Sequence, residues 1–342
     1  MDALKRSKYW DNVKMLLMFF VVFGHTLVYT QWNSSNLLCV YNLILSFQMP
    51  LFIFISGYFS KRITCPRKKD IEILLYPYLV FQVLNVFYVR YIEHNPASWN
   101  LFIPLHQNWY ILALFIWRLI IPYFQYVNKW MGIAIALGLS LIFSKYQVPY
   151  NLFALNYVFV FLPFFVLGYY IDEADIQRIE KRIVNVFVPI AVFVLFAAII
   201  AGTYHSTNLG LTITQAFKPP YICTSYISYG LRFVGFFVLS FMLIYLMFVM
   251  KGKLETNNAN RLDFSGGGTI LVYLAHYFFV IPLWNVLPNL NWMISLAICI
   301  AISLILCWVF SRPRVMKILM PLVDFGVLRE KIVIIKQKKT NK

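Results

Sequence analysis

Two histidines and three cations lie where an apolar chain should not hold them. His25 interrupts the run that begins at Val13, and His276 falls within Tyr273-Leu274-Ala275-His276-Tyr277. Lys14 precedes His25 by eleven residues. On a helix that is about three turns and roughly 16 Å of rise, so the two side chains share a face. A neutral imidazole held there can take up and give back a proton near neutral pH. Lys14 places a cation at the mouth of that face, unless it reaches the lipid headgroups instead. Asp11, three residues earlier, would shape the mouth or orient its neighbours. Arg118 and Arg232 lie about nine or ten residues inside other apolar runs. Acidic residues are nearly absent from those runs, so an anionic ligand or a polar cavity is the expected partner of each guanidinium. In a dry site either one could stabilise an oxyanion.

The elements that must position these groups follow from composition. The 342 residues are 61% hydrophobic, 19% aromatic and only 13% charged, with a mean hydropathy of +0.70. A soluble domain carries about 25% charged residues, so this chain cannot coat a globule in water, nor is it polar enough for a disordered one. An all-α, polytopic transmembrane helix bundle remains. Ten runs approach the length of about 20 apolar residues that crossing a bilayer needs: 13–31, 37–59, 71–92, 108–127, 130–146, 152–171, 184–203, 223–250, 268–288 and 291–311.

The net charge of +17 suggests nucleic acid, but its placement does not. Of the 30 Lys and Arg, 24 fall before the first run, in alternate loops, or after the last. That bias puts both termini in the cytoplasm and predicts a multi-pass protein of the cell (plasma or inner) membrane, with no nucleic-acid partner. Residues 1–311 read as one transmembrane domain. Residues 312–342 read as a basic cytoplasmic tail whose interleaved Val315, Ile318, Leu319, Leu322 and Val323 suit a helix lying on anionic lipid. The first run is too long for a cleavable signal peptide. The five cysteines are odd in number and lack metal-ligand spacing, which predicts neither a disulfide framework nor a metal site.

One inner loop is unusually cationic. Lys61, Arg62, Arg67, Lys68 and Lys69 place five cations in nine residues. Topology alone explains the sign, yet the cluster also suits the phosphates of an anionic cosubstrate. Ser265-Gly266-Gly267-Gly268-Thr269, before the ninth run, could offer backbone N–H groups to a phosphate, or be a plain turn. His94, His106 and His205 fall in outer loops and read as ordinary surface histidines. The loops at about 93–107 and 204–222 are rich in Asn, Trp, Tyr and His, which suits sugar stacking or an aromatic belt.

Several of these segments resemble a known family. Tyr9-Trp10-Asp11-Asn12-Val13-Lys14, followed after ten residues by His25, is similar to the first-helix motif of the acyltransferase 3 membrane proteins, where Arg or Lys precedes the histidine by the same gap. Phe47-Gln48-Met49-Pro50-Leu51-Phe52-Ile53-Phe54-Ile55-Ser56-Gly57-Tyr58 resembles the second-helix segment of their fucose 4-O-acetylase-like branch. Asn108-Trp109-Tyr110-Ile111-Leu112 and Tyr273-Leu274-Ala275-His276 fit as well. The resemblance implies about ten helices and O-acyl transfer from cytoplasmic acyl-CoA, often acetyl-CoA. The implied acceptor is a hydroxyl of a cell-surface or exported polysaccharide, or of its lipid-linked precursor. Acyl-CoA would be a donor substrate, with no permanently bound cofactor. His25, Lys14, Asp11, Arg232, Arg118 and His276 are the expected catalytic set, and the loop from Lys61 to Lys69 the donor-phosphate site. Buried Arg and His also suit a transporter or flippase for an anionic or glycan substrate. Such proteins tend to carry helix breaks in paired halves, and Pro50 and Pro163 show no matching context.

Overall fold

A computed structural model of the chain describes residues 8–28, 30, 34–65, 68–94, 100–146, 148–175, 268–282 and 290–340, with isolated positions between. Among them there is helix and no strand. At bilayer depth only an intrahelical ladder satisfies the backbone without water, and the sequence supplies caps where helices begin. Ser34 accepts from Asn36 N at the start of α2 (Ser35–Tyr58). Asn128 accepts from Trp130 N ahead of α5 (Lys129–Lys145), and Asn291 from Met293 N ahead of α9 (Trp292–Phe310).

The remaining elements are α1 (Lys8–Leu27), α3 (Lys68–Tyr91), α4 (Trp109–Phe124), α6 (Leu155–Tyr170), α7 (Gly268–Ala275), the short α8 (Tyr277–Val280), α10 (Pro313–Val323) and α11 (Phe325–Thr340). Among the described residues four stretches are both long and apolar enough to cross a membrane: Asn36–Tyr58, Lys68–Tyr91, Leu152–Tyr170 and Trp292–Phe310. The expected spans 184–203 and 223–250 lie outside the described residues.

Three boundaries differ from those expected. α1 begins at Lys8 rather than near residue 13, because Asp11 belongs to its first turn instead of lying at its entry. α3 begins at Lys68 and widens into a π turn over Ile71–Leu75, which brings Asp70 into the helix. The run 268–288 is not one helix, because a turn at His276 separates α7 from α8.

α1 is the centre of the described bundle. Met15, Met18, Val21 and Val22 pack into a core shared with α3, α4, α6 and α7. Val13, Leu17, Phe23 and Leu27, on its other side, join a second core with α2 and α9. Asn36–Tyr58 is 72% buried and Trp292–Phe310 only 33%, which makes α2 interior and α9 peripheral. α9 and α3 carry outward apolar faces, with Leu304, Ile305 and Trp308 on one and Val83, Leu84 and Phe87 on the other, as a lipid solvent requires.

α2 and α6 cross with their backbones in contact. A Cβ on Gly57 would fall on the Phe165 carbonyl oxygen, and one on Gly168 on the Phe54 carbonyl oxygen. Small residues permit this approach, which apolar lipid does not otherwise drive. Past α9, α10 docks on the bundle: Tyr76 donates to the Pro321 carbonyl at 2.8 Å, and its ring lies 5.3 Å from that of Phe325. The acidic Asp324 breaks the tail in two and accepts from Gly326 N to start α11.

Candidate active site

One end of the bundle is formed by the C-terminus of α1, the N-termini of α2 and α4, and the C-terminus of α3. There His25 and His276 come together, their ring centroids 5.1 Å apart. The contact has two local causes. α1 carries His25 in its last turn, two residues before its end. The turn between α7 and α8 presents His276 inward, where it is completely buried. His276 Nδ1 lies 3.0 Å from the Val272 carbonyl, four residues back. Its Nε2 is buried with no hydrogen-bond partner. His25 is only partly buried, and its ring makes no hydrogen bond to the described residues.

Aromatic and amide groups line the same region. Tyr277 meets His25 edge-on at 5.8 Å and stacks on His106 at 4.1 Å. Gln48 lies against Gly24, where a Cβ would sit 2.7 Å from Gln48 Oε1. That oxygen is also buried without a partner. Tyr273 donates to the Gln107 carbonyl, and Gln107 Nε2 donates to the Leu274 carbonyl at 2.8 Å. The 3₁₀ turn His106–Asn108 is thereby tied to α7, and through Asn108 Nδ2 and Gln82 Oε1 (3.1 Å) to α3.

His106 corrects the surface reading given to it above. Its side chain is 17% exposed, and its Nε2 approaches Glu93 Oε1 to 3.2 Å without the alignment of a hydrogen bond. Its backbone is left-handed at φ 50°, a conformation that costs a non-glycine residue on the order of 1 kcal/mol or more and is concentrated at functional sites. Burial lowers the His106 pKa to about 4 and raises that of Glu93. His106 is therefore neutral at pH 7, and its contact with Glu93 is not an ion pair. Sequence spacing could not find His106, Glu93 or Gln48. The available signals were that His106 lies two residues before the Asn108-Trp109-Tyr110 motif and that Gln48 lies within the second-helix motif.

The expected partners of His25 are otherwise dispersed. Lys14 sits toward the opposite end of α1, its ammonium 3.9 Å above the Phe59 ring. Asp11 lies one turn before it, half-buried. Arg118 does not await an anionic ligand. Its Nη1 contacts Asp70 Oδ1 at 2.8 Å, and Asp70 is 1% exposed. The expectation of no internal carboxylate failed because the start of α3 lies three residues earlier than the apolar run suggested. Arg118 Nε remains buried without a hydrogen bond. Arg232 and Arg67 lie outside the described residues. Lys61 pairs with Asp172 at 3.1 Å and lies over the Tyr58 ring, while Arg62, Lys68 and Lys69 are exposed. These cations and Lys14 share the end of the bundle opposite the histidines. At the start of α7, Gly268 packs on Ser311 of the α9–α10 junction and Thr269 is buried.

Among the described residues no group of three or more His, Cys, Asp or Glu is arranged to hold a metal ion. The arrangement instead separates two functions along α1: an imidazole pair with unused nitrogen valence at one end, and a cationic surface at the other.

An all-helical membrane protein with grouped imidazoles in its interior belongs to the class whose chemistry takes place within the bundle. A family model described as an acyltransferase domain matches residues 7–312, and the chain belongs to the acyltransferase 3 family. Membership makes acyl transfer at a membrane the activity to be explained. The match begins just before α1 and ends at the α9–α10 junction, so it takes in both histidines. No curated protein and no solved structure matches the chain.

Proposed function

We propose that this protein is a multi-pass O-acyltransferase of the cell membrane. It moves an acyl group, in the first instance acetyl, from cytoplasmic acyl-CoA to a hydroxyl of a surface or exported polysaccharide or its lipid-linked precursor. The observation that carries the reading is the His25–His276 pair, held within the family-matched helices with His276 Nε2 buried and used by no protein group.

The donor is soluble and strongly anionic, so it belongs at the cationic end. Arg62, Lys68 and Lys69 are exposed there and Lys14 marks the mouth of α1. The Lys14 to His25 distance along α1, about 16 Å at 1.5 Å per residue, is of the scale that an extended pantetheine arm crosses. The thioester carbon then meets the hydroxyl beside the imidazoles. Proton removal from that hydroxyl raises its nucleophilicity as the carbon–oxygen bond forms and the carbon–sulfur bond breaks. The thiolate leaving group recovers the proton as free CoA. Ten spans, both termini in the cytoplasm, and a lipid-bound tail beyond residue 312 complete the proposed topology; the segregated apolar and basic faces of α10 support the place of the tail on lipid.

The test is purified protein in detergent or vesicles with labelled acetyl-CoA and envelope glycan from the producing cells. His25→Ala is expected to insert and elute as the wild type does while losing at least about 100-fold in label transferred. Undiminished transfer by that variant would remove His25 from the chemistry. Movement of glycan across the membrane without label incorporation would replace the enzyme with a transporter.

A further inference from the structure

We infer that His276, rather than His25, is the residue that receives the proton of the attacking hydroxyl, within a subsite built for a polyhydroxylated acceptor. This rests on the acyltransferase reading and assigns one of its two histidines a role. The tautomer carries the first step. A carbonyl oxygen only accepts, so the Val272 carbonyl 3.0 Å from His276 Nδ1 requires the proton on Nδ1. The neutral ring then presents Nε2 as a bare lone pair. That nitrogen is buried, meets no donor, and belongs to a ring 5.1 Å from His25. A fixed tautomer with a lone pair that no protein group uses is what a general base requires, since a partner on the far nitrogen orients the ring. His25 has no such orienting hydrogen bond.

The surroundings point to the ligand class. Gln107 Oε1 and Asn108 Oδ1 are buried acceptors without donors, although the nitrogens of both amides are engaged, with the Leu274 carbonyl and Gln82. Leu274 is two residues from His276. The neighbouring helix α3 adds Asn85, one turn beyond Gln82, with both side-chain atoms buried and unused. Buried polar atoms of this kind are rare unless water or a ligand meets them. Here the surplus is of acceptors, so the fitting ligand is rich in donors. A sugar is such a ligand, and an acyl-CoA thioester, which has no hydroxyl at its reacting end, is not. In the step itself the acceptor O–H bond breaks toward His276 Nε2, the oxygen bonds to the acyl carbon, the carbon–sulfur bond breaks, and the departing thiolate takes the proton. The sum is an ester and free CoA.

Two substitutions and two nucleophiles test this. His276→Asn keeps an amide N–H near the Val272 carbonyl but leaves nothing at the Nε2 position. His276→Gln puts an amide there that can accept a hydrogen bond but cannot hold a proton. Each is assayed with labelled acetyl-CoA against envelope glycan and against hydroxylamine, a nucleophile that needs no base. Both variants are expected to lower the ratio of glycan to hydroxylamine transfer by about 100-fold, the order a general base supplies. His25→Ala is expected to lower both transfers together. Equal losses toward both nucleophiles in the His276 variants, or full glycan transfer by His276→Asn, would overturn the assignment and leave the acyltransferase reading in place. Absence of transfer to either nucleophile by the wild type would overturn both.

Discussion

At the cationic end of the bundle, Arg118 meets Asp70 at 2.8 Å within the first turns of α3. At the other end, His25, His276, Gln48, Gln107 and Asn108 bring polar groups together and leave five of their atoms or rings without a protein partner. Both regions bury polarity at a depth where it is costly. Only the first sets one charge directly against another, so the two differ in what would be lost by substitution. The matched pair should report on folding, whereas the unmatched cluster should report on chemistry.

The largest stability effect is expected at Asp70. Asp70→Ala strands a buried guanidinium and should cost about 3–5 kcal/mol, read as a lower unfolding midpoint in detergent. The double variant Asp70→Leu with Arg118→Met should recover most of that loss, because removing both charges leaves nothing unpaired. If the double variant unfolds like the single one yet the single one loses only activity, Arg118 belongs with the chemistry and the contrast between the ends fails.

A smaller effect is expected from His106. Its folded pKa of about 4 lies below the ordinary 6.5, so protons bind the unfolded chain first as pH falls. Stability from this group is intact above pH 6.5, is lost between 6.5 and 4, and totals about 3 kcal/mol at most. The raised Glu93 pKa acts with the opposite sign, favouring the folded state as its carboxyl protonates, and is common to wild type and variant. Unfolding midpoints at pH 7 and 4.5 should therefore fall further for the wild type than for His106→Gln. Parallel falls would return His106 to the solvent-facing role its loop position suggested.

The smallest effect is expected at Gly24. A Cβ 2.7 Å from Gln48 Oε1 must push that amide aside. Gly24→Ala should lower glycan transfer several-fold while changing stability by less than about 1 kcal/mol, since alanine also favours the helix. Loss of stability with unchanged transfer would make Gln48 a packing residue.

How far the sequence disclosed all this depended on the range of the interaction. His25 was legible because an imidazole in an apolar run violates the local solvent, and its spacing from Lys14 is fixed by one helix. His276 was legible for the same reason, but not the turn around it, since an uninterrupted apolar run carries no mark of a break. The Arg118–Asp70 pair was missed because it joins helices 48 positions apart and its acid lay just beyond the apparent edge of a span. His106 and Glu93 were missed because loop composition says nothing of which loop folds back beneath a neighbour. Helix existence was carried by hydropathy. The π turn in α3 and the cap-defined starts depend on geometry that hydropathy averages away.

Where α2 crosses α6, Gly57 and Gly168 allow main chain to touch main chain, so neither helix can roll or separate there without tearing the joint across its full width. That crossing behaves as a rivet. Any widening of the bundle therefore has to be taken up away from this crossing, at contacts where no glycine lets main chain meet main chain.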